Sequence, residues 1–284
     1  MQSALLKIMQ STATLPSVVV ISPQRRALYK SSLKSTSVTV PLILIAYVCF
    51  KDRLSPEPGR LLVKAFALGM LSASASMLIS LPLMLVGAYS AEPVSVWDHF
   101  RVACFGAGVP EEIAKFAMLW LVLRKNAAFD EHFDGIVYAV CVGMGFAFVE
   151  NIGYLCQAGD AWIHAGIARG LISVPGHYAF AILMGYYYSY AHFQMIDRRR
   201  NMILTLAAPI AAHTLFDWVL MVSDATQYQL ISGLLTILFF YGFYRLQKLG
   251  HKDIIAHLAN DVPSAGVDDQ TEIIFDAPDD SAEA

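Results

Sequence analysis

The sequence predicts an all-α protein that crosses a membrane several times, and three observations carry this prediction. Of the 284 residues, 56% are hydrophobic and only 15% are charged, whereas soluble domains carry roughly a quarter charged residues. The mean hydropathy is +0.52. Uncharged stretches at 65–91, 170–196 and 225–244 are each long enough for the ~20 apolar residues that cross a bilayer core. These features exclude an ordinary soluble domain and favour a single polytopic helical bundle.

We expect about seven transmembrane helices. Hydrophobic runs separated by short links place them at residues 37–50, 61–89, 100–123, 135–155, 171–191, 202–222 and 229–245. The first run is short, and we expect it to be tilted or extended at its start. The sequence contains no evident repeat of 20–50 residues and no inverted half-repeat, so it does not favour a transporter built from repeats.

Lysine and arginine are concentrated in alternate links between these runs, and such residues favour the cytoplasmic side of a membrane. They occur in the segments 51–64, 124–125, 198–200 and 245–252, whereas the links 90–99, 156–160 and 223–228 contain none. We therefore expect the first link and the C-terminal tail to lie in the cytoplasm. The basic residues before Ser35 fit this orientation only if another membrane pass lies in the N-terminal segment.

Composition divides the chain into three parts. Residues 1–36 form an N-terminal segment of undefined structure, residues 37–250 form the transmembrane domain, and residues 251–284 form a tail. The tail has nine acidic residues and one lysine, which gives a net charge of −8. This composition is typical of a disordered acidic extension. It also argues against nucleic acid as a partner.

Ionisable residues inside four consecutive spans are the main functional signal, because each costs several kcal/mol at depth unless it faces a polar cavity or a partner. In chain order they are Glu111, Glu112 and Lys115, then Glu150 with Asn151, then His177, and then His213 with Asp217. Counted from the basic links, the carboxylates and imidazoles lie about 17–22 Å deep. Packing alone does not require this common depth, so we expect one shared site.

Proline precedes three of these groups. Pro110, Pro175 and Pro209 lie one, two and four residues before Glu111, His177 and His213. Proline removes a backbone hydrogen bond and frees a carbonyl, so it kinks a helix or starts a half-helix. Irregular backbone at this depth predicts a cavity beside the site.

The residue types fit hydrolysis. Two adjacent carboxylates in a low dielectric do not both ionise readily, so one of the pair Glu111 and Glu112 suits a general base or acid. Two histidines and a glutamate match a catalytic zinc site with an open water position. On this interpretation His177, His213 and Glu150 bind Zn²⁺, with Asp217 orienting an imidazole. A metal-free site, in which a glutamate activates water, is the alternative that these residue types also allow.

Each group also has a structural interpretation. Glu150 and Asn151 could bond neighbouring helices, and His213 with Asp217 could form a self-satisfied buried pair. Glu111 and Glu112 are the hardest to explain in this way. One lysine leaves a formal charge uncompensated unless the pair binds a proton, a cation or a basic group.

Several short motifs follow one another in a fixed order along the chain. They are Asp52 and Glu57-Pro58, then Glu111-Glu112-Ile113-Ala114-Lys115, then Phe133-Asp134-Gly135-Ile136-Val137-Tyr138, Gly145-Phe146 and Glu150-Asn151, then His177, and then the His213–Asp217 HxxxD spacing. At these residues, within about 37–220, the sequence resembles the PrsW family of intramembrane proteases, which belongs with the CAAX-prenyl endopeptidase group.

This resemblance implies an endopeptidase that hydrolyses membrane-associated proteins in a bacterial cytoplasmic membrane, as in regulated cleavage of an anti-sigma factor. It implies catalytic roles for Glu111, Glu112, Glu150, His177 and His213. Lys115, Asn151 and Asp217 would support them. Whether such enzymes use a metal or a glutamate-activated water is not decided by the motifs.

Two functions from other classes compete with this one. A proton- or cation-coupled transporter could use the same buried carboxylates and histidines as a relay, and a non-catalytic scaffold could bind partners through the tail. Transport needs a polar path open to both sides of the membrane. Proteolysis needs a blind cavity with lateral access for a membrane substrate.

Overall fold

A computed structural model of the protein describes residues 39–158, 162–195, 197–225 and seven isolated positions between 233 and 244. All regular secondary structure in these ranges is helical, so the predicted all-α class is confirmed there. The N-terminal segment, the acidic tail and most of the span expected at 229–245 lie outside the described residues. The described residues between 39 and 242 belong to one compact unit.

Eight α-helices and two π-helical segments make up the described bundle. They are α1 Thr39–Lys51, α2 Gly59–Leu85, α3 Val96–Arg101, π1 Val102–Gly108, α4 Val109–Leu123, α5 His132–Gln157, α6 Trp162–Ala168, π2 Arg169–Ser173, α7 Val174–Phe193 and α8 Arg198–Ala225. The α3–π1–α4 run is continuous from 96 to 123 and covers the span expected at 100–123.

Four helical stretches are long and apolar enough to cross a membrane: Gly59–Leu85, His132–Gln157, Gly166–Phe193 and Arg198–Val222. They correspond to four of the expected spans. Helix α2 ends four residues before the expected boundary at 89, and the other three stretches reach or pass their expected boundaries. The helix Thr39–Lys51 is apolar but shorter. A total of seven spans stays a prediction, because part of the last expected span lies outside the described residues.

The central helix is α5, which packs against α2 on one side and α7 on the other, while α7 packs against α8. In the most apolar 18-residue stretch of α5, 78% is buried, compared with 17% in the corresponding stretch of α2. Helix α2 instead exposes large apolar side chains such as Leu71, Leu78 and Leu85. A strongly apolar outer surface is what a lipid-facing helix requires.

Glycines allow α2 and α5 to approach closely. A Cβ added at Gly69 would overlap the backbone of Val142, and one added at Gly145 would overlap the backbone of Phe66. Small residues at such crossings let helix backbones pack tightly within a membrane. The crossing fixes the relative position of α2 and α5, and therefore of Glu150 further along α5.

The α1–α2 loop is attached to α5 through Tyr138 and the half-buried Glu57, beside the buried Asp134. Tyr138 donates a hydrogen bond to Glu57, and Asp134 Oδ2 accepts hydrogen bonds from the backbone N–H groups of Asp130 and Glu131. Asp52 is also buried. Burial raises the pKa of Asp52 to about 7, with a further contribution from the charge of Asp134. This cluster lies outside the set of residues proposed for catalysis.

Candidate active site

The ionisable residues of four helices meet at one place. Glu112 Oε1 lies 2.8 Å from Lys115 Nζ and 2.8 Å from His213 Nδ1. Lys115 Nζ is in turn 3.1 Å from His177 Nδ1, and His177 Nε2 is 2.7 Å from Glu150 Oε2. This chain of contacts joins α4, α8, α7 and α5. The structure therefore brings together the residues that the sequence predicts to lie at a common depth.

Two π-helical segments position the site residues on their helices. The segment π1 ends just before Pro110, Glu111 and Glu112, and π2 ends just before Pro175 and His177. After each segment, a backbone N–H bonds five residues back instead of four, from Val109 to Cys104 and from Val174 to Arg169. Proline removes an N–H at these points, and π-helical turns often occur at functional sites.

The site is almost closed to solvent, yet it contains unsatisfied oxygens. Glu112 is 0% exposed, Lys115 2% and His213 3%. Among the described residues, Glu111 Oε2 and Glu112 Oε2 have no hydrogen-bond partner. Glu111 Oε2 has only longer approaches, 3.6 Å to Lys115 Nζ and 3.8 Å to His213 Nε2. The site therefore offers two acceptors to which the described residues donate no hydrogen bond.

Aromatic rings hold the two imidazoles in place. The rings of His177 and His213 are 5.3 Å apart and nearly perpendicular. Phe180 stacks on His213 with 4.7 Å between ring centroids, and Phe146 lies 5.3 Å from His177. Asp217 Oδ2 is 3.4 Å from His213 Nε2, beside the imidazole as expected. Lys115 Nζ also lies 4.1 Å from the centroid of the Phe146 ring.

The metal-binding group that the geometry supports differs from the expected one. In the described part of the chain, ligand atoms of Glu111, His177 and His213 lie within 4.8 Å of one another. The sequence analysis places Glu150 in this set instead of Glu111. The reason for the difference is that the Glu150 carboxylate is bound by Arg169 Nη2 at 2.6 Å as well as by His177.

Arg169 is a site residue that the sequence analysis does not identify. It is 4% exposed, its Nε donates to Asn151 Oδ1 at 2.7 Å, and its guanidinium carbon lies 3.9 Å from the Tyr154 ring centroid. In the sequence, Arg169 directly precedes an uncharged stretch and resembles an ordinary interfacial residue. The available signal is that this arginine follows an acid and an amide, Glu150 and Asn151, inside the preceding span.

A cleft leads from the surface of the bundle to this cluster. It has a volume of about 810 Å³ and lies between α2, π1 and α5. Glu111 and Glu150 line it, whereas Glu112 and the two histidines do not. The buried site is thus accessible from one side of the bundle.

Comparison with known proteins agrees with this arrangement. A sequence profile described as "PrsW family intramembrane metalloprotease" matches residues 57–244, about two thirds of the chain. The chain belongs to this family. It is therefore a membrane-embedded peptidase, the resemblance to PrsW proteases is confirmed, and the transporter alternative is not supported.

Curated relatives of the PrsW family come from several bacteria. Protease PrsW of Oceanobacillus iheyensis is 29% identical over 79% of this chain and 99% of the relative. Protease PrsW of Clostridioides difficile is 33% identical over 64% of this chain and 77% of the relative, and that of Bacillus subtilis is 29% identical over 75% and 94%. No solved structure matches the chain significantly.

Proposed function

We propose that Glu111, Glu112, His177 and His213 carry out the hydrolysis of peptide bonds in membrane-associated proteins. The observation that carries this proposal is the pair of oxygens, Glu111 Oε2 and Glu112 Oε2, buried beside two imidazoles without a hydrogen-bond partner among the described residues. Buried acceptors without a partner are rare in folded proteins. Such oxygens are suited to bind a water molecule, a proton or a metal ion.

In this proposal Glu112 accepts the proton of the attacking water. Its Oε1 is held by Lys115 and His213 at 2.8 Å each, so the carboxylate keeps one orientation while Oε2 stays available. A general base needs this fixed position within reach of the water. The Lys115 ammonium adds positive charge to the site, which favours the negative charge that develops during peptide hydrolysis.

Glu111, His177 and His213 would hold a metal ion, and we propose zinc. Two imidazoles and a carboxylate are a common catalytic zinc ligand set, and the family to which the chain belongs is described as one of metalloproteases. A bound zinc ion would activate water and polarise the peptide carbonyl. Glu150, neutralised by Arg169, then orients His177 through the hydrogen bond to Nε2 instead of binding the metal. His177 would ligate through Nδ1, and Lys115 Nζ, which lies 3.1 Å from that nitrogen, would then bond to the glutamates alone.

Metal content tests this ligand assignment without an activity assay. We expect the purified full-length protein to contain about one zinc ion per chain by elemental analysis. Glu111→Gln and His213→Ala would each lose most of this zinc, whereas the matched control Glu150→Gln would keep it. Loss of zinc from Glu150→Gln, with retention in Glu111→Gln, would support the set His177, His213 and Glu150. Full activity without stoichiometric metal would support the metal-free glutamate mechanism.

Membrane proteomics tests the proteolytic role of the site and supplies a substrate. Cells that express Glu112→Gln are expected to accumulate uncut membrane proteins that are cleaved in cells expressing the wild type. The amide keeps an oxygen acceptor for Lys115 and His213 but is not a base. Wild-type cleavage by a folded Glu112→Gln protein would contradict the assignment of Glu112.

We also propose that the C-terminal tail and the basic links lie in the cytoplasm of a bacterial cell. Support comes from the lysines and arginines of alternate links, such as Arg124 and Arg200. A reporter enzyme that is active only outside the cytoplasm, fused after Ala284, would then be inactive. Activity of this fusion would place the tail on the opposite side.

A further inference from the structure

The two cationic residues of the buried cluster do not face the cleft that leads to it. Lys115 is 2% exposed and bonds to Glu112, and Arg169 is 4% exposed and bonds to Glu150 and Asn151. Neither residue lines the cleft. When water attacks a peptide bond, negative charge develops on the carbonyl oxygen, and a hydrogen-bond donor beside this oxygen favours the reaction. A donor on the accessible side of the cluster therefore has to come from another residue.

Most polar side chains of the cleft already use their hydrogen atoms within the protein. Among the described residues, the cleft-lining hydroxyl and amide groups that bond to the chain itself are those of Ser76, Ser80, Tyr89, Ser90 and Gln157. In this part of the chain, the hydroxyl groups of Ser74 and Tyr154 make no such bond. Ser74 lies on α2, which contributes no residue to the proposed catalytic cluster, whereas Tyr154 lies on α5, one turn after Glu150. Tyr154 is therefore the candidate donor.

The ring of Tyr154 is held beside Glu150. The two side chains are four residues apart on α5, so they share a helix face. A helical side chain leans toward the N-terminus of its helix, which turns the Tyr154 ring back toward Glu150. The guanidinium carbon of Arg169 lies 3.9 Å from the ring centroid, while its Nη2 bonds to Glu150 at 2.6 Å. One arginine thus fixes both the carboxylate and the aromatic ring.

Charges from four helical segments act on the Tyr154 hydroxyl. They belong to Glu150 of α5, Arg169 of π2, Asp217 of α8 and Glu111 of α4. Because Coulomb interactions weaken with distance, these contributions place the hydroxyl near the point where α4 and α8 meet α5. A tyrosine hydroxyl ordinarily ionises only at about pH 10, so it is a hydrogen-bond donor at neutral pH.

We infer that Tyr154 is a further catalytic residue, whose hydroxyl donates a hydrogen bond to the carbonyl oxygen of the scissile peptide bond and stabilises the oxyanion. The inference rests on the proposed function. Tyr154 lines the cleft together with Glu111 and Glu150, so its hydroxyl faces the accessible side of the cluster. The ammonium of Lys115, which lies behind these carboxylates, acts on the same negative charge from a greater distance.

The role of Tyr154 in the reaction is that of a donor that keeps its proton. The water oxygen forms a bond to the carbonyl carbon, one water proton passes to Glu112, and the carbonyl electron pair moves onto the oxygen. The Tyr154 hydroxyl donates to this oxyanion. The carbonyl then re-forms as the C–N bond breaks, and the leaving nitrogen takes the proton from Glu112. The products are a carboxylic acid and an amine, and Tyr154 is unchanged.

The variant Tyr154→Phe removes the hydroxyl and keeps the ring that packs on Arg169. The substrate for this test is a membrane protein that accumulates uncut in cells expressing Glu112→Gln. We expect the purified full-length variant to unfold as the wild type does, with kcat about a hundredfold lower and KM within threefold, because loss of one oxyanion donor lowers kcat by roughly 10²–10³. The matched control Tyr89→Phe removes another cleft-lining hydroxyl, and we expect its kcat to stay within threefold of the wild type.

The result of this test separates the inference from the proposed function. A folded Tyr154→Phe protein whose kcat lies within tenfold of the wild type would overturn the inference and leave the proposed function intact. Tyr154 would then serve only as a packing partner of Arg169. A substrate that the purified wild type does not cleave would instead contradict the proposed function itself.

A tetrahedral inhibitor tests the hydrogen bond to the oxyanion without turnover. The cleavage site, identified from the two substrate fragments, is copied in a peptide whose scissile amide is replaced by a phosphinic group. This group is tetrahedral and carries a negatively charged oxygen, so the peptide resembles the transition state more than the substrate. We expect Tyr154→Phe to bind it at least tenfold more weakly than the wild type and Tyr89→Phe to bind it equally well. Equal affinity of Tyr154→Phe and the wild type would overturn the inference.

Discussion

Glu150 and Arg169 form a short ion pair in the site, with 2.6 Å between Glu150 Oε2 and Arg169 Nη2. Arg169 also bonds Asn151 and lies over Tyr154. Removing one member of a buried charge pair leaves the other uncompensated, which typically costs about 3–5 kcal/mol. Arg169 is therefore a positioning residue that holds Glu150, and through it His177, in place.

We predict that Arg169→Gln lowers the free energy of unfolding by about 3 kcal/mol, because Glu150 becomes an unpaired buried charge. The double variant Arg169→Gln with Glu150→Gln is expected to recover at least half of this loss. Denaturant titration in detergent measures the free energy of unfolding of the single and the double variant. Equal stability of the single and double variants would show that the pair is not the source of the effect.

A pH-dependent stability is expected from the α1–α2 loop. Burial raises the pKa of Asp52 to about 7, and the negative charges of Asp134 and Glu131 add to this increase. A hydrogen bond from the Glu57 backbone lowers the pKa and partly offsets the increase. Burial also raises the pKa of Glu57. A carboxyl whose pKa is higher in the folded state favours folding while it is protonated. This contribution is lost as the pH rises from about 4 to about 7.

Asp52→Asn removes this titration but keeps an acceptor for the backbone of Glu57. We predict that the Tm of the wild type falls more between pH 5 and pH 8 than the Tm of Asp52→Asn, so the variant gains relative stability at pH 8. Thermal unfolding in detergent at the two pH values measures the difference. A constant difference in Tm would show that Asp52 does not take up a proton on folding.

The helices that carry the site were predictable because hydrophobic runs and buried charges are local features of the sequence. The common depth of Glu112, His177 and His213 follows from counting residues along each run. Which of Glu111 and Glu150 is better placed to bind the proposed metal ion was not predictable in this way. It depends on which carboxylate Arg169 neutralises, and that contact joins residues from two different helices.

The prolines predicted irregular backbone, but not its form. Near Pro110 and Pro175 the structure has the π-helical segments π1 and π2, while Pro209 lies inside the long helix α8. Loss of one N–H allows a kink, a break or a wider turn. Packing against neighbouring helices selects among these forms, so a single sequence does not specify the outcome.

The crossing of α2 and α5 yields a prediction about two glycines of one helix. A Cβ at Gly145 overlaps the backbone of Phe66, whereas one at Gly153 meets open space. We expect Gly145→Ala to destabilise the protein by about 1–3 kcal/mol through overpacking, and Gly153→Ala to be neutral or stabilising by up to about 1 kcal/mol. Denaturant unfolding compares them, and equal effects would contradict the close crossing.

At the scale of the whole molecule, the proposed catalytic cluster lies entirely on helices between residues 109 and 225. The acidic tail, with its charge of −8, is expected to be dispensable for the chemistry. The substrate for this test is a membrane protein that accumulates uncut in cells expressing Glu112→Gln. We predict that truncation after Lys248 retains more than half of the wild-type rate of its cleavage. Complete loss in a stable, membrane-inserted truncation would show that the tail has a structural role.

The central claim is that one buried cluster on four helices hydrolyses peptide bonds. The most direct measurement uses, as substrate, a membrane protein that accumulates uncut in cells expressing Glu112→Gln. The rate at which purified full-length protein in lipid vesicles cleaves this substrate is compared between the wild type and Glu112→Gln. We predict that the wild type produces two defined fragments and that Glu112→Gln, with an unchanged unfolding transition, is at least a thousandfold slower. A folded Glu112→Gln protein that produces the same fragments at the wild-type rate would contradict the claim.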